Sequence, residues 1–311
     1  MRRKMPEQHE EIIERASREL CSPSSYESVA HRSNHDVPMP SVEALKAVVH
    51  GLQSVLFPGY FGRSDLKPQT LRFHVGAALD EAYLSLSEQI ERGLCFACQR
   101  NEPTDCADCR ERAQGMASAF IAALPRVRRL LSTDVEAAFK GDPAAKSPGE
   151  TIFCYPSILA LTHYRLAHEL EHLGVPLIPR IITEIAHGAT GIDIHPGARI
   201  GEHFFMDHGT GIVIGETCVI GKNVRIYQGV TLGAKSFPLD EHGRPIKGIP
   251  RHPLVEDDVI IYSGATLLGR ITVGKGSTIG GNVWLTRSIP PGSRIMQGRF
   301  QDVLFEQGSG I

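Results

Sequence analysis

Aliphatic side chains return every six residues along the second half of the chain. From Val255 the beat runs through Ile261, Leu267, Val273, Ile279 and Leu285. Four residues after each stands a small or aliphatic side chain: Val259, Ala265, Ile271, Ser277, Val283 and Ile289. The same beat occurs earlier at Ile200, Met206 and Ile212. It slips by two and resumes at Ile214, Ile220, Ile226 and Leu232, followed by Cys218, Val224 and Val230. A period of six is neither the 3.6 of a helix nor the 2 of an ordinary strand. It is the hexapeptide pattern of a parallel β-helix, three hexapeptides to one triangular coil. Each short strand points its aliphatic residue inward, and turns rich in Gly, Asn and Asp make the corners. Gly201, Gly215, Gly221, Gly274 and Gly280 each directly follow an inward residue. The expected reason is a corner conformation that a Cβ opposes.

Before Ile194 the spacing is helical. A helix is expected over Glu7–Leu20, then a polar linker, then a helix capped by Ser41 and running to about Leu56. Leu71, Val75, Leu79, Ala82, Leu86 and Ile90 mark a third, and Met116, Phe120, Leu124, Val127 and Leu131 a fourth. Thr133-Asp-Val-Glu136 has the form of a capping box that starts another helix. Further helices are expected from Tyr155 to Leu173 and up to about His187. The fold class is therefore α + β: a helical N-terminal domain over 1–190, a β-helix domain over 191–292, and a tail over 293–311. Gly233 to His252 interrupts the repeat with a polar stretch rich in proline and glycine. Its length marks it as a lid or clamp extruded from a rigid coil.

Composition narrows the function class. With 311 residues, 41% hydrophobic content and a formal net charge of −2, the chain reads as an ordinary globular protein and not a nucleic-acid binder. No stretch approaches the roughly 20 apolar residues of a membrane span, and no secretory signal is visible, so the expected location is cytoplasmic. Seven cysteines do not form a secreted disulfide framework. Four of them, Cys95, Cys98, Cys106 and Cys109, form two CxxC pairs. That arrangement suits a structural zinc or an iron–sulfur cluster, or else a cysteine-rich loop of labile thiols.

Polar residues set into the coils carry the candidate chemistry. Asp193 and His195 open the first coil, and Asp207-His208-Gly-Thr-Gly211 follows 14 residues after Asp193. With about 18 residues per coil, Asp193 and His208 can be neighbours on adjacent rungs. A histidine oriented by a carboxylate is a general base, able to take a proton from an alcohol as it attacks an activated acyl group.

The stretches DIHPGARIG, MDHGTGIVIGET, GVTLGA and RHP resemble the serine O-acetyltransferase family, as do FKGDPAAKSP and SILALTHYRLAHEL. The likeness spans about Thr133 to Ser293. It implies a left-handed parallel β-helix and transfer of acetyl from acetyl-CoA to L-serine, with no further cofactor required. Carried over by motif, His208 is the general base and Asp193 its orienting acid. Asp142 and Asp207 hold the serine ammonium, and Arg251 and His252 its carboxylate. Gly233, Ala234, Ser263 and Gly281 line the acetyl-CoA slot between β-helices of a homo-oligomer, a trimer or a dimer of trimers. The terminal Gly308-Ser-Gly-Ile311 resembles the tail by which family members bind O-acetylserine sulfhydrylase. Three other readings compete. One is the same architecture with another acceptor, such as homoserine, a sugar or a xenobiotic alcohol. The second is a metal-dependent trimer using His195, His203 and His208. The third is a non-catalytic scaffold.

Overall fold

The computed structural model describes residues 7–29, 37–98 and 107–298. Cys106 of the second CxxC pair and residues 299–311, with the terminal Gly308-Ser-Gly-Ile311, lie outside the described residues. Among the described residues, eight helices precede fourteen short strands. The helices are α1 (Glu7–Leu20), α2 (Pro23–Tyr26), α3 (Val42–Leu56), α4 (Pro68–Ala97), α5 (Ala107–Gly141), α6 (Pro148–Cys154), α7 (Pro156–His172) and α8 (Ile178–Thr190). Ser41 caps α3 as expected, its hydroxyl accepting from the Ala44 N–H at 3.2 Å.

The strands stack into three parallel sheets, the faces of a triangular prism. One face holds β1 (Asp193–Ile194), β4 (Val213–Ile214), β7 (Thr231–Gly233), β10 (Thr266–Leu268) and β13 (Trp284–Leu285). The second holds β2 (Arg199–Ile200), β5 (Val219–Ile220), β8 (Leu254–Val255) and β11 (Thr272–Val273). The third holds β3 (Phe205–Asp207), β6 (Arg225–Tyr227), β9 (Ile260–Ile261), β12 (Thr278–Ile279) and β14 (Arg294–Ile295). This is a left-handed parallel β-helix behind a helical N-terminal region. Every residue of the six-residue beat, and every small residue four positions later, is buried. The last paired strand, β14, lies beyond residue 292.

The register locates both irregularities of the repeat. Ile194 pairs with Ile214, 20 residues on, whereas Ile214 pairs with Leu232, 18 on. The two extra residues fall between β3 and β4, in the Asp207–Gly211 corner. Leu232 pairs with Leu267, 35 residues on, because the chain leaves the prism after β7 and returns at β8. That excursion carries its own short hairpin: Leu239 bridges Pro245, and the Asp240 carboxylate accepts from the His242 and Arg244 N–H groups.

Two expectations are corrected here. Thr133–Glu136 does not begin a helix, because α5 runs unbroken through it. The Thr133 hydroxyl donates to the Leu130 carbonyl and accepts from the His203 N–H. Asp134, wholly buried, grips Arg165 of α7. Nor do the five glycines after inward residues supply left-handed backbone; other corner residues do that, His208, Gly209 and Gly211 among them. Their requirement is close approach. A Cβ on Gly201 would stand 2.6 Å from the Gly221 carbonyl oxygen of the next rung.

The Asp134–Arg165 pair locks helices to prism. Arg165 Nε and one terminal nitrogen each donate to Asp134 at 3.0 Å. The guanidinium also donates to the Ile200 and Gly201 carbonyls at 2.6 and 2.7 Å. Asp134 accepts the Phe204 N–H at 3.1 Å. The first coil and the end of α5 are thereby held in one relation, which matters for the candidate site.

Candidate active site

The corner between β3 and β4 presents His208 to solvent. The two-residue excess and the left-handed backbone at His208 (φ 57°) and Gly209 (φ 89°) push the imidazole outward, its side chain 74% exposed. Asp207 Oδ1 lies 3.7 Å from His208 Nε2. The end of α5 is delivered to this corner by Gly141. A Cβ there would sit 2.6 Å from the Phe205 ring of β3, so only glycine permits the approach. Asp142 follows directly. Its Oδ1 accepts from the Ala144 N–H at 2.8 Å and its Oδ2 from the Tyr155 hydroxyl at 2.5 Å. The Tyr155 bond, with the Ala144 N–H second, holds the Asp142 carboxyl below the usual carboxylate range; the charge of His208 adds to this. Burial, with Asp142 as acceptor, pushes the Tyr155 hydroxyl up, so it stays a donor.

Asp193 opens β1, whose partner β4 begins directly after the His208 corner. Its carboxylate groups with Glu184 and His187 of α8, the ligand atoms all within 4.8 Å of one another. Among the described residues, the carboxylate paired with the His208 ring is that of Asp207.

A second constellation occupies the corner between β4 and β5. His252 is buried there against Gly215, where a Cβ would stand 2.2 Å from its Nε2. Its Nδ1 accepts from the Thr217 N–H at 3.0 Å and faces the Thr217 hydroxyl at 2.9 Å. That hydroxyl accepts from the Arg251 and His252 N–H groups, so its proton goes to Nδ1. In the neutral ring the remaining proton is then on Nε2. Burial, then the Arg251 charge, pushes the His252 pKa down to about 4. Arg251 donates to Glu216 at 2.6 Å. His195 borders the same corner, its Nδ1 accepting the Gly197 N–H at 3.0 Å.

The remaining predicted residues divide between these two edges. Ser263 and Gly281 lie on the His208 edge: the backbone bonds Gly229 to Thr210, Gly264 to Gln228 and Asn282 to Ser263 climb that corner rung by rung. A Cβ on Gly281 would touch the Ser263 carbonyl at 3.2 Å. Gly233, at the end of β7, belongs to the His252 edge with Ala234 after it. The edges flank one face of the prism, about five residues or roughly 15 Å apart at the ~3.3 Å rise of a strand.

Sequence reasoning missed Tyr155, Glu216 and Thr217. Glu216 and Thr217 stand inside the quoted MDHGTGIVIGET stretch, where a polar pair after an inward aliphatic and a glycine was the available signal. Tyr155 carried none, since it reads as the first turn of a helix. Of the cysteine set, Cys95 and Cys109 are buried at the facing ends of α4 and α5.

A plasmid-borne serine acetyltransferase of Synechococcus elongatus is 57% identical over 281 residues, covering 90% of this chain and 88% of its own length. Serine acetyltransferase isoform 3 of Entamoeba histolytica, solved in complex with cysteine, is 30% identical, with a TM-score of 0.69 over 96% of this chain and 95% of its own. A Brucella abortus serine acetyltransferase in complex with coenzyme A is 26% identical, with a TM-score of 0.52 over 80% of this chain and 91% of its own. No protein-family profile matches the chain. No helix among the described residues is long and apolar enough to cross a membrane.

Proposed function

The chain belongs to the serine acetyltransferase family, and we propose how its two edges share the transfer of acetyl from acetyl-CoA to the L-serine hydroxyl. The products are O-acetyl-L-serine and CoA, a step of cysteine biosynthesis. His208 takes the hydroxyl proton as the serine oxygen attacks the thioester carbonyl. The tetrahedral intermediate expels CoA thiolate, and the imidazolium returns the proton to sulfur. Asp193 is the acid that steadies the ring, on leaving Glu184 and His187. Asp142 and Asp207 receive the ammonium. Arg251, released by Glu216, and the Nε2–H of His252 receive the carboxylate, the arginine through its fork.

One observation supports this division most directly: the base and the two carboxylates share one edge, while the arginine and the buried neutral histidine share another. Roughly 15 Å separates them along one rung. A serine molecule is far shorter. Its two ends therefore meet the edges of two different copies, with the His208 edge of one beside the Arg251 edge of the next. A closed three-fold ring satisfies this with identical sites. Ser263 and Gly281 from one copy, and Gly233 and Ala234 from its neighbour, then flank the pantetheine arm, and the 233–252 hairpin covers it.

Mixed assembly tests the reading. His208→Ala and Arg251→Ala each lower acetyl transfer, His208→Ala by at least about 100-fold. Refolded together in equal amounts, they regain about one quarter of wild-type activity, because one interface in four pairs the two intact edges. No recovery above the separate variants would place the whole site within one chain and refute it.

A further inference from the structure

The residue between α6 and α7 has no role in the reaction as written above, yet it touches the serine set. Tyr155 ends α6, its N–H bonding to the Thr151 carbonyl, and starts α7, its carbonyl accepting from Ile158 and Leu159. Pro156 follows, which confines Tyr155 to extended backbone, here φ −85° and ψ 120°. The two helices therefore meet at a fixed bend. Tyr155 lines a largely apolar cavity of about 230 Å³ with Phe57, Phe61 and Phe153. The hydroxyl leaves that apolar wall and donates to Asp142 Oδ2 at 2.5 Å.

Asp142 needs such a partner. It lies just past the end of α5, half-buried, with only the Ala144 N–H on its other oxygen. A carboxylate held by one bond turns about its Cβ–Cγ axis. Held by two donors on opposite oxygens, it keeps its plane fixed and still has a lone pair free on each oxygen. Those lone pairs can meet an ammonium group brought to the His208 corner.

We propose that Tyr155 is a positioning residue that fixes the Asp142 carboxylate and thereby makes the acceptor site select for a cationic amine. This rests on the reading that Asp142 receives the serine ammonium. It adds that amine recognition depends on a hydroxyl outside the acceptor itself.

The experiment uses the full chain and Tyr155→Phe, which keeps the ring in its apolar wall and removes only the oxygen. Two ligands are compared: L-serine as acceptor, and 3-hydroxypropanoate, which is serine without its amine, as a competitive inhibitor against serine. The expected result is a rise in KM for serine of about 5- to 12-fold, the upper range for one typical intramolecular hydrogen bond. The kcat, the KM for acetyl-CoA, the melting temperature and the inhibition constant of 3-hydroxypropanoate stay within twofold or about 2 °C. A serine KM changed by less than twofold overturns the proposal. So does equal weakening of both ligands, which would mean a general loosening of the corner. Asp142→Asn separates this from the broader reading. If it raises the serine KM and Tyr155→Phe does not, Asp142 keeps its role and Tyr155 loses it. If neither variant matters, the assignment of Asp142 to the ammonium falls first.

Discussion

Replacing Asp134 by alanine should cost more stability than any single change on the prism surface. Asp134 is wholly buried and the side chain of its partner Arg165 is 3% exposed. The substitution removes three hydrogen bonds to the carboxylate, two from the guanidinium at 3.0 Å and one from the Phe204 N–H at 3.1 Å. The guanidinium keeps its bonds to the Ile200 and Gly201 carbonyls but loses its counter-charge in a place water does not reach. Breaking a buried pair from one side costs about 3–5 kcal/mol, most of it the stranded charge. At about 2 °C per kcal/mol for a chain of this size, the melting temperature falls by about 6–10 °C. Thermal melts followed by circular dichroism measure this. Asp134→Leu combined with Arg165→Met is the control, since an apolar pair of similar volume leaves no charge behind. It should recover at least half of the loss. A melting temperature lowered by less than about 2 °C in Asp134→Ala, or a double variant worse than the single one, would show that the pair does not hold helices to prism.

Two further predictions concern the His252 edge. In Gly215→Ala the new Cβ, 2.1 Å from His252 Cδ2, must displace the ring and break its bond from Thr217. KM for serine then rises about tenfold, in line with the ~1–3 kcal/mol of an overpacked contact, and an unchanged KM in steady-state kinetics would refute that ring position. The second is acid sensitivity. His252 has a folded pKa pushed down to about 4, against about 6.5 for an unfolded histidine. Between those values the unfolded chain binds a proton that the folded chain does not, so stability falls as pH drops through that window and is unaffected by this group above it. Melting temperatures measured from pH 7.5 to 4.5 should fall more steeply in wild type than in His252→Gln; parallel curves would contradict it.

Much of the prism was legible in the sequence because its signal is local and repeated. The six-residue beat names the inward residues, and the slip of two between Met206 and Ile214 marks the corner that carries His208. Features set by contact between distant segments were not legible. Thr133 reads as a cap, but a histidine N–H 70 residues away occupies its hydroxyl, and α5 passes straight through. Gly215 reads as a turn residue, yet its need is room for a ring 37 positions later. Counting residues put Asp193 one rung from His208 and carried no sign of α8, whose Glu184 and His187 also lie beside that carboxylate. Nor did spacing alone separate the serine set onto two edges, since a linear count does not say which corner a residue turns.

The first coil's two surplus residues have a consequence for how this architecture can change. Paired positions on all three faces are 20 apart across that coil and 18 apart where the next coil continues without the hairpin. The surplus is therefore confined to one bend and leaves the inward stack untouched. Trimming two residues there would restore an unbroken lattice while withdrawing His208 from solvent. On the role proposed for His208, scaffold and activity are encoded separately in this chain, and what divides a working enzyme from a silent prism is a dipeptide.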